Sequence, residues 1–231
     1  MVLYAQFLKS EDLCFDIGAN VGRKVEVFRQ LNARVIAFEP QPRCAEQLRK
    51  RFAGDSAVTI VPEGVSAAEG VMTLHLAQAT EVASMSADFI QRNTRSSRFG
   101  GNVWNGSMQV RVGTMDAAIA RYGKPAFVKV DVEGHEQEVL AGLSAPVPAL
   151  SFEFSAETLE TAIRIVGSLE KRFRMEFNYC NGKSLRLGEP AWLSAIALEM
   201  ALAKLSANDP LLWGDIYART AAGASQTKSG V

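Results

Sequence analysis

Apolar positions along the first sixty residues keep two alternating rhythms. Leu13 to Ile17 is a short apolar run with one acid, Asp16, near its end, the pattern of a buried strand. Residues 21–32 follow with Val21, Val25, Phe28 and Leu31 at helical spacing. Arg34 to Phe38 is a second strand candidate, bounded by Glu39-Pro40. Pro42 suits the first turn of a helix running to about Phe52. Val58 to Val61 is a third β-rich run. This βαβαβ order predicts parallel strands joined by right-handed helical crossovers.

The middle of the chain is less regular. Val71 to Leu76 alternates as a strand does, whereas residues 91–107 are rich in Arg, Ser, Asn and Gly and predict a loop or flexible lid. Met108 to Val112 predicts a strand, and Thr114 caps a short helix from Met115 to Tyr122. Ala126 to Val130 has only Lys129 as a polar residue, which suits a buried parallel strand. A helix from His135 to Ala141, a strand from Ala149 to Phe154 and a helix over 156–172 follow, the last with Leu159, Ile163, Val166 and Leu169 on one face. Met175 to Tyr179 is a strand, residues 190–207 an amphipathic helix, and Asp215 to Ala218 a short final strand. No repeat or linker divides the chain. The expectation is one α/β domain over 1–219 with an irregular insertion around 77–110, then a small, polar, disordered tail over 220–231.

Charge and cysteine content narrow the partners. Among 231 residues, 25 basic and 25 acidic side chains cancel, giving no reason to expect nucleic acid or an anionic membrane. Three cysteines stand far apart with no C-x-x-C pair, which reads as reduced thiols in a cytoplasmic protein and not as disulfides or a zinc site. No secretory leader is expected. The most apolar stretch, Ala191 to Ala203, is interrupted by Glu199 and is too short to span a bilayer.

Candidate chemistry begins where the first strand ends. Gly18 and Gly22 flank a turn into a helix, letting a ligand approach the backbone and helix-start amides closely. Ligands of open parallel sheets bind beyond the carboxyl ends of the strands. Glu39, ending the second strand, can accept hydrogen bonds from ribose hydroxyls. An NAD-dependent oxidoreductase is one rival, but a dinucleotide fingerprint wants G-x-G-x-x-G. Here Ala19 stands where the second glycine would be. Asp16 would repel a diphosphate and suit a cationic sulfonium. The second rival, a non-catalytic interaction module, would have no reason to keep Asp16, Glu39 and Asp131 together. A second constellation, Lys129-Val130-Asp131-Val132-Glu133-Gly134-His135-Glu136, crowds acids and a histidine at another strand end, costly unless solvated, paired or used. Glu153 sits in an otherwise apolar strand.

Asp16-Ile17-Gly18-Ala19-Asn20-Val21-Gly22, Ala37-Phe38-Glu39-Pro40, and Lys129 to Glu136 with Val139-Leu140 and Gly142 together resemble the FkbM family of methyltransferases. The resemblance runs over residues 12–155 and touches Gly214 to Ala218. It implies a Rossmann-like class I methyltransferase fold, a seven-stranded, mostly parallel sheet with one antiparallel strand and helices on both faces. It also implies S-adenosyl-L-methionine as cofactor and transfer of a methyl group to oxygen, on a sugar or secondary-metabolite hydroxyl. Asp16, Gly18, Asn20 and Gly22 would hold the methionine portion, Glu39 with Pro40 the ribose, and Glu63 to Ser66 the adenine. Asp131 would sit beside the methyl group and Glu133 would face the acceptor. Arg23-Lys24 depart from the family, where an aromatic or small polar residue is common. Residues 77–110 match it poorly and are expected to choose the acceptor.

Methyl transfer needs an aligned acceptor oxygen and removal of its proton. Asp131, Glu133 and His135 are the candidate bases; each has a bland alternative as a cap, a solvated charge or a structural histidine. Glu153 is a candidate acceptor contact. Arg95 and Trp104, within the stretch that also holds Arg92 and Arg98, are candidates for clamping an acidic acceptor or are part of a solvated loop. No ordered metal-ligand spacing is visible, although carboxylates near the acceptor could hold a divalent cation, as in some other O-methyltransferases.

Overall fold

The structure, a computed structural model, describes residues 2–95, 101–182 and 184–221. β1 (Leu13–Ile17), α1 (Arg23–Gln30), β2 (Arg34–Phe38), α2 (Pro42–Arg51) and β3 (Val58–Val61) form the expected βαβαβ unit. β4 (Gly64–Ser66), β5 (Gly70–Ala77), α3 (Ala87–Arg95), β6 (Trp104–Thr114) and α4 (Met115–Tyr122) follow. The chain then continues through β7 (Phe127–Val130), α5 (Glu136–Ala141), β8 (Ala149–Ser155), α6 (Leu159–Phe173), β9 (Met175–Asn181), α7 (Ala195–Asn208) and β10 (Trp213–Thr220).

Seven strands make one sheet in the order β3-β2-β1-β7-β8-β10-β9. β10 runs antiparallel between β8 and β9, and the strands from β3 to β8 pair in parallel. Alternate residues of each strand face opposite layers. Phe15, Ile17, Val128, Val130, Leu150 and Phe152 pack on one side against α5, α6 and α7. Cys14, Val35, Ala37 and Phe127 pack on the other with Phe28, Leu48 and Tyr4. On that second side one row is polar: Asp16 lies across from Lys129, Lys129 from Ser151, and Ser151 from Tyr217. No helix among the described residues is long and apolar enough to cross a membrane.

Several elements differ from their sequence expectation. Residues 91–95 close the helix α3, and residues 104–107 open the eleven-residue strand β6; 96–100 lie outside the described residues. β6 joins β4 and β5 in a separate three-stranded sheet. Only its last residues face a buried layer, so its first half carries polar alternation that reads as loop. The helix expected from residue 190 begins at Ala195, where the Ser194 side chain accepts the Ala197 N–H. The final strand is longer than expected and reaches Thr220. The rest of the expected tail, 222–231, lies outside the described residues.

Candidate active site

The ends of β1 and β7 touch. A Cβ on Gly18 would stand 1.9 Å from the Asp131 carbonyl oxygen, and Gly18 has φ +86°, so only glycine fits this crossing. The Gly18 and Ala19 amides both donate to the Phe38 carbonyl at 3.0 Å, tying the turn to β2. The next link is Glu39. Its carboxylate accepts the Asn20 N–H at 2.8 Å and the Gln41 N–H at 2.8 Å. Burial pushes its pKa up against the pull of these amides. Glu39 is thus a fixed acceptor whose remaining lone pairs face a cavity of about 260 Å³.

That cavity has three kinds of wall. Phe38, Val65 and Leu74 are apolar; Glu39, Asp131 and Glu133 are carboxylates; Arg23 and Lys24 are cationic. Asn20, in the left-handed region at φ +47°, also lines it, and its Oδ1 is buried without a partner. A buried orphan acceptor beside a cavity is satisfied by a ligand donor. An adenosine bearing a sulfonium amino acid supplies matching groups: an apolar base, ribose hydroxyls and an ammonium. The residues present fit S-adenosylmethionine.

Past β7 the chain bends sharply. Glu133 has φ +53° and Gly134 φ +91°. Glu136 holds this turn, its Oε1 accepting the Val132 N–H at 3.1 Å and the Gly134 N–H at 3.2 Å. Burial pushes the Glu136 pKa to about 7. Ser84 Oγ donates to the Glu133 carbonyl at 2.6 Å. The Glu133 side chain lines the first cavity and also a second, of about 220 Å³, walled by Glu136, Glu153, Phe89, Phe154 and Trp213. Burial first, then the neighbouring Glu153 and Asp131 carboxylates, push the Glu133 pKa well up. Burial and Asp131 do the same to Glu153. One carboxylate oxygen from each of Asp131, Glu133 and Glu153 lies within 4.8 Å of the others, a spacing a divalent cation can span. The sequence offered all three acids but not their closeness, because Glu153 comes from a different strand.

Behind the carboxylates stands Lys129, fully buried. Its Nζ donates to Asp215 Oδ1 at 2.9 Å, Asp131 Oδ2 at 3.1 Å and the Val130 carbonyl at 3.3 Å. Burial opposes its charge, but Asp131 and Asp215 hold its pKa well above the ordinary lysine value. Lys129 in turn holds Asp215 below the carboxylate range despite burial.

Other expected residues sit apart from these walls. Asp16 is buried, its Oδ2 lacks a partner and burial pushes its pKa to about 7. Gly22 packs against Leu48 and Phe52. Ser66 Oγ meets His135 Nε2 at 3.0 Å, joining β4 to α5, and burial lowers the His135 pKa. Glu63 lies 3.6 Å from Arg111 Nε in a separate cavity. Trp104 Nε1 donates to the Val82 carbonyl at 2.8 Å. Arg95 is exposed at the end of α3, and Arg98 lies outside the described residues. Pro40 lines the first cavity.

A sheet of this order, with its antiparallel strand second from one edge and a nucleoside cradle at the β1 and β2 ends, defines a class I methyltransferase. Residues 16–177 match the family model of the methyltransferase FkbM domain. The chain belongs to the FkbM methyltransferase family, whose methyl donor is S-adenosylmethionine. The hexuronic acid methyltransferase AglP of Haloferax volcanii is 28% identical over 149 residues, 62% of this chain and 55% of that protein. The chain therefore spans about half the length of this curated relative. The crystal structure of a methyltransferase FkbM from Methylobacillus flagellatus KT superposes with a TM-score of 0.52 at 16% identity, over 91% of this chain and 44% of that one, which shows a shared fold.

Proposed function

We propose that the chain transfers a methyl group to a hydroxyl oxygen of a small-molecule acceptor, of sugar or secondary-metabolite kind, bound in the second cavity. One observation carries this reading: Glu133 lines both cavities. A carboxylate at such a junction stands where donor and acceptor meet. The relative from Haloferax volcanii, named for a sugar acid, supports a sugar-like acceptor. Glu133, Glu136 and Glu153 in the second cavity would repel a phosphate backbone, which speaks against nucleic acid as acceptor. The three buried thiols suit a reducing, cytoplasmic setting.

When bound, S-adenosylmethionine supplies an electrophilic methyl carbon on a good leaving group. Glu39 would accept ribose hydroxyls, Pro40 and Gly18 would border the nucleoside, and Asn20 and Asp131 would meet the methionine ammonium. Glu133 would take the hydroxyl proton as the acceptor oxygen gains the methyl group that the donor's sulfur would release. Glu133 suits this task because burial and Glu153 make it more basic than an ordinary carboxylate. Glu153 and Trp213 would orient the acceptor ring.

The test is a screen of hydroxylated acceptors with methyl-labelled donor, reading which atom carries label. Transfer to oxygen is expected; label only on nitrogen or carbon would sink the proposal. Two further results are expected. Glu39→Ala should weaken S-adenosylhomocysteine binding by about 1–3 kcal/mol in calorimetry. Unchanged affinity would remove its ribose role. Chelation with EDTA should leave turnover unaltered, because burial and mutual repulsion already favour the neutral forms of Glu133 and Glu153, which then need no cation between them. Loss of turnover restored by Mg²⁺ would instead make Asp131, Glu133 and Glu153 metal ligands.

A further inference from the structure

The donor's methionine portion is a zwitterion, and the first cavity treats its two ends unequally. Its wall carries four carboxylates, Glu39, Glu81, Asp131 and Glu133, which suit the ammonium and the sulfonium. The methionine carboxylate would be repelled by every one of them. Arg23 and Lys24, at the first turn of α1, are the cationic side chains on that wall.

Lys24 is held in place on that wall. Its Nζ donates to the Tyr4 hydroxyl at 3.0 Å, and Tyr4 is a buried residue held between Phe28 and Phe127. The ammonium is therefore positioned and not swinging in solvent. Among the described residues no carboxylate lies within ion-pair distance of Lys24, so two of its three donors are open. Lys129, the deeper cation, has all three donors taken. Burial opposes the Lys24 charge, but Tyr4 and Asp215 keep its pKa above the ordinary value. Gly22, which precedes the helix, has no side chain to cap it, so the first-turn amides have no capping acceptor from it. Arg23 is exposed at the rim.

We infer that Lys24, supported by Arg23, binds the carboxylate of the donor's methionine portion and so makes the site select a complete amino acid. This rests on the donor reading above. Positioned by Tyr4, Lys24 makes a charge-assisted contact in a partly desolvated place, where such bonds are strong.

Two ligands separate the possibilities by calorimetry on the full chain: S-adenosylhomocysteine, and the aminopropyl thioether of adenosine, which keeps the amine and lacks the carboxylate. The wild-type chain should prefer S-adenosylhomocysteine by about 10- to 100-fold. Lys24→Met should lose most of that preference while holding the aminopropyl ligand within about twofold, and Lys24→Arg should restore much of it. Equal loss on both ligands, or no loss on S-adenosylhomocysteine, overturns the assignment. The wild-type comparison stands without any variant: equal affinity for the two ligands also overturns it. Failure of the wild-type chain to bind either ligand sinks the donor reading itself, and this inference with it.

Discussion

Lys129→Met should destabilise the fold by about 3–5 kcal/mol, the cost of leaving buried charges unpaired. At this chain length that corresponds to a fall in melting temperature of roughly 6–20 °C. The side chain is completely buried and sits between Asp131 and Asp215. Methionine matches its length but offers no proton, so the Asp215 carboxylate loses a 2.9 Å partner and must either ionise alone or take a proton. Asp215, whose pKa is lowered in the fold by Lys129, contributes stability above the ordinary carboxylate range. It loses that contribution as pH falls through its lowered pKa. The variant should therefore be less sensitive to acid than the parent. Lys129→Met with Asp215→Asn should recover part of the loss, since an amide tolerates burial better than a lone carboxylate. Urea unfolding of the parent, the single variant and the double variant measures this. A loss below about 1 kcal/mol would mean that water reaches the pair and that the buried bridge is not structural.

Lys129 also shows how far the sequence could be read. A single polar residue in Ala126 to Val130 is visible without any structure, and so is the strand around it. Its partner is not, because Asp215 lies 86 positions away on an antiparallel strand inserted between β8 and β9. The apolar rhythm gave β1, β2 and β7, where burial on two faces enforces the pattern, and also the half-buried edge strand β3 and both crossover helices. It failed over residues 91–95 and 104–107, where exposed polar side chains outnumber buried ones in α3 and β6 and polar composition says loop. In the site, motif spacing located Gly18, Asn20, Glu39 and Asp131 at one cavity. It grouped His135 with the acids because they are neighbours in sequence. A helix start turns successive side chains in different directions, so the His135 ring meets Ser66 while Glu133 faces the cavities. Glu153 was visible as an acid in an apolar strand, but its distance to Glu133 depended on the β7–β8 register.

Glu133→Gln should lower kcat by about 10²- to 10⁴-fold, the range of a lost general base, with S-adenosylhomocysteine affinity held within about threefold. Glutamine keeps the shape and cannot accept the acceptor's proton. The pH profile separates this role from simple positioning. In the parent, turnover should rise with pH through an apparent pKa above the ordinary carboxylate range, because Glu133 must be ionised to act and burial with Glu153 holds its proton on. The two acids titrate together, so the midpoint belongs to the pair. Glu153→Gln removes one negative charge beside Glu133 and lowers its pKa. The acid limb of the profile should then move to lower pH. Stability carries the opposite sign to activity. Glu133 and Glu153, with pKa values raised by folding, contribute stability that is full below their unfolded pKa values and is lost as pH rises through the folded ones. Glu133→Gln should thus be more stable than the parent at pH 8 and closer to it at pH 5, in thermal melts. A variant that loses activity with no change in pH profile or melt would assign the base to Asp131 and leave Glu133 as an acceptor contact.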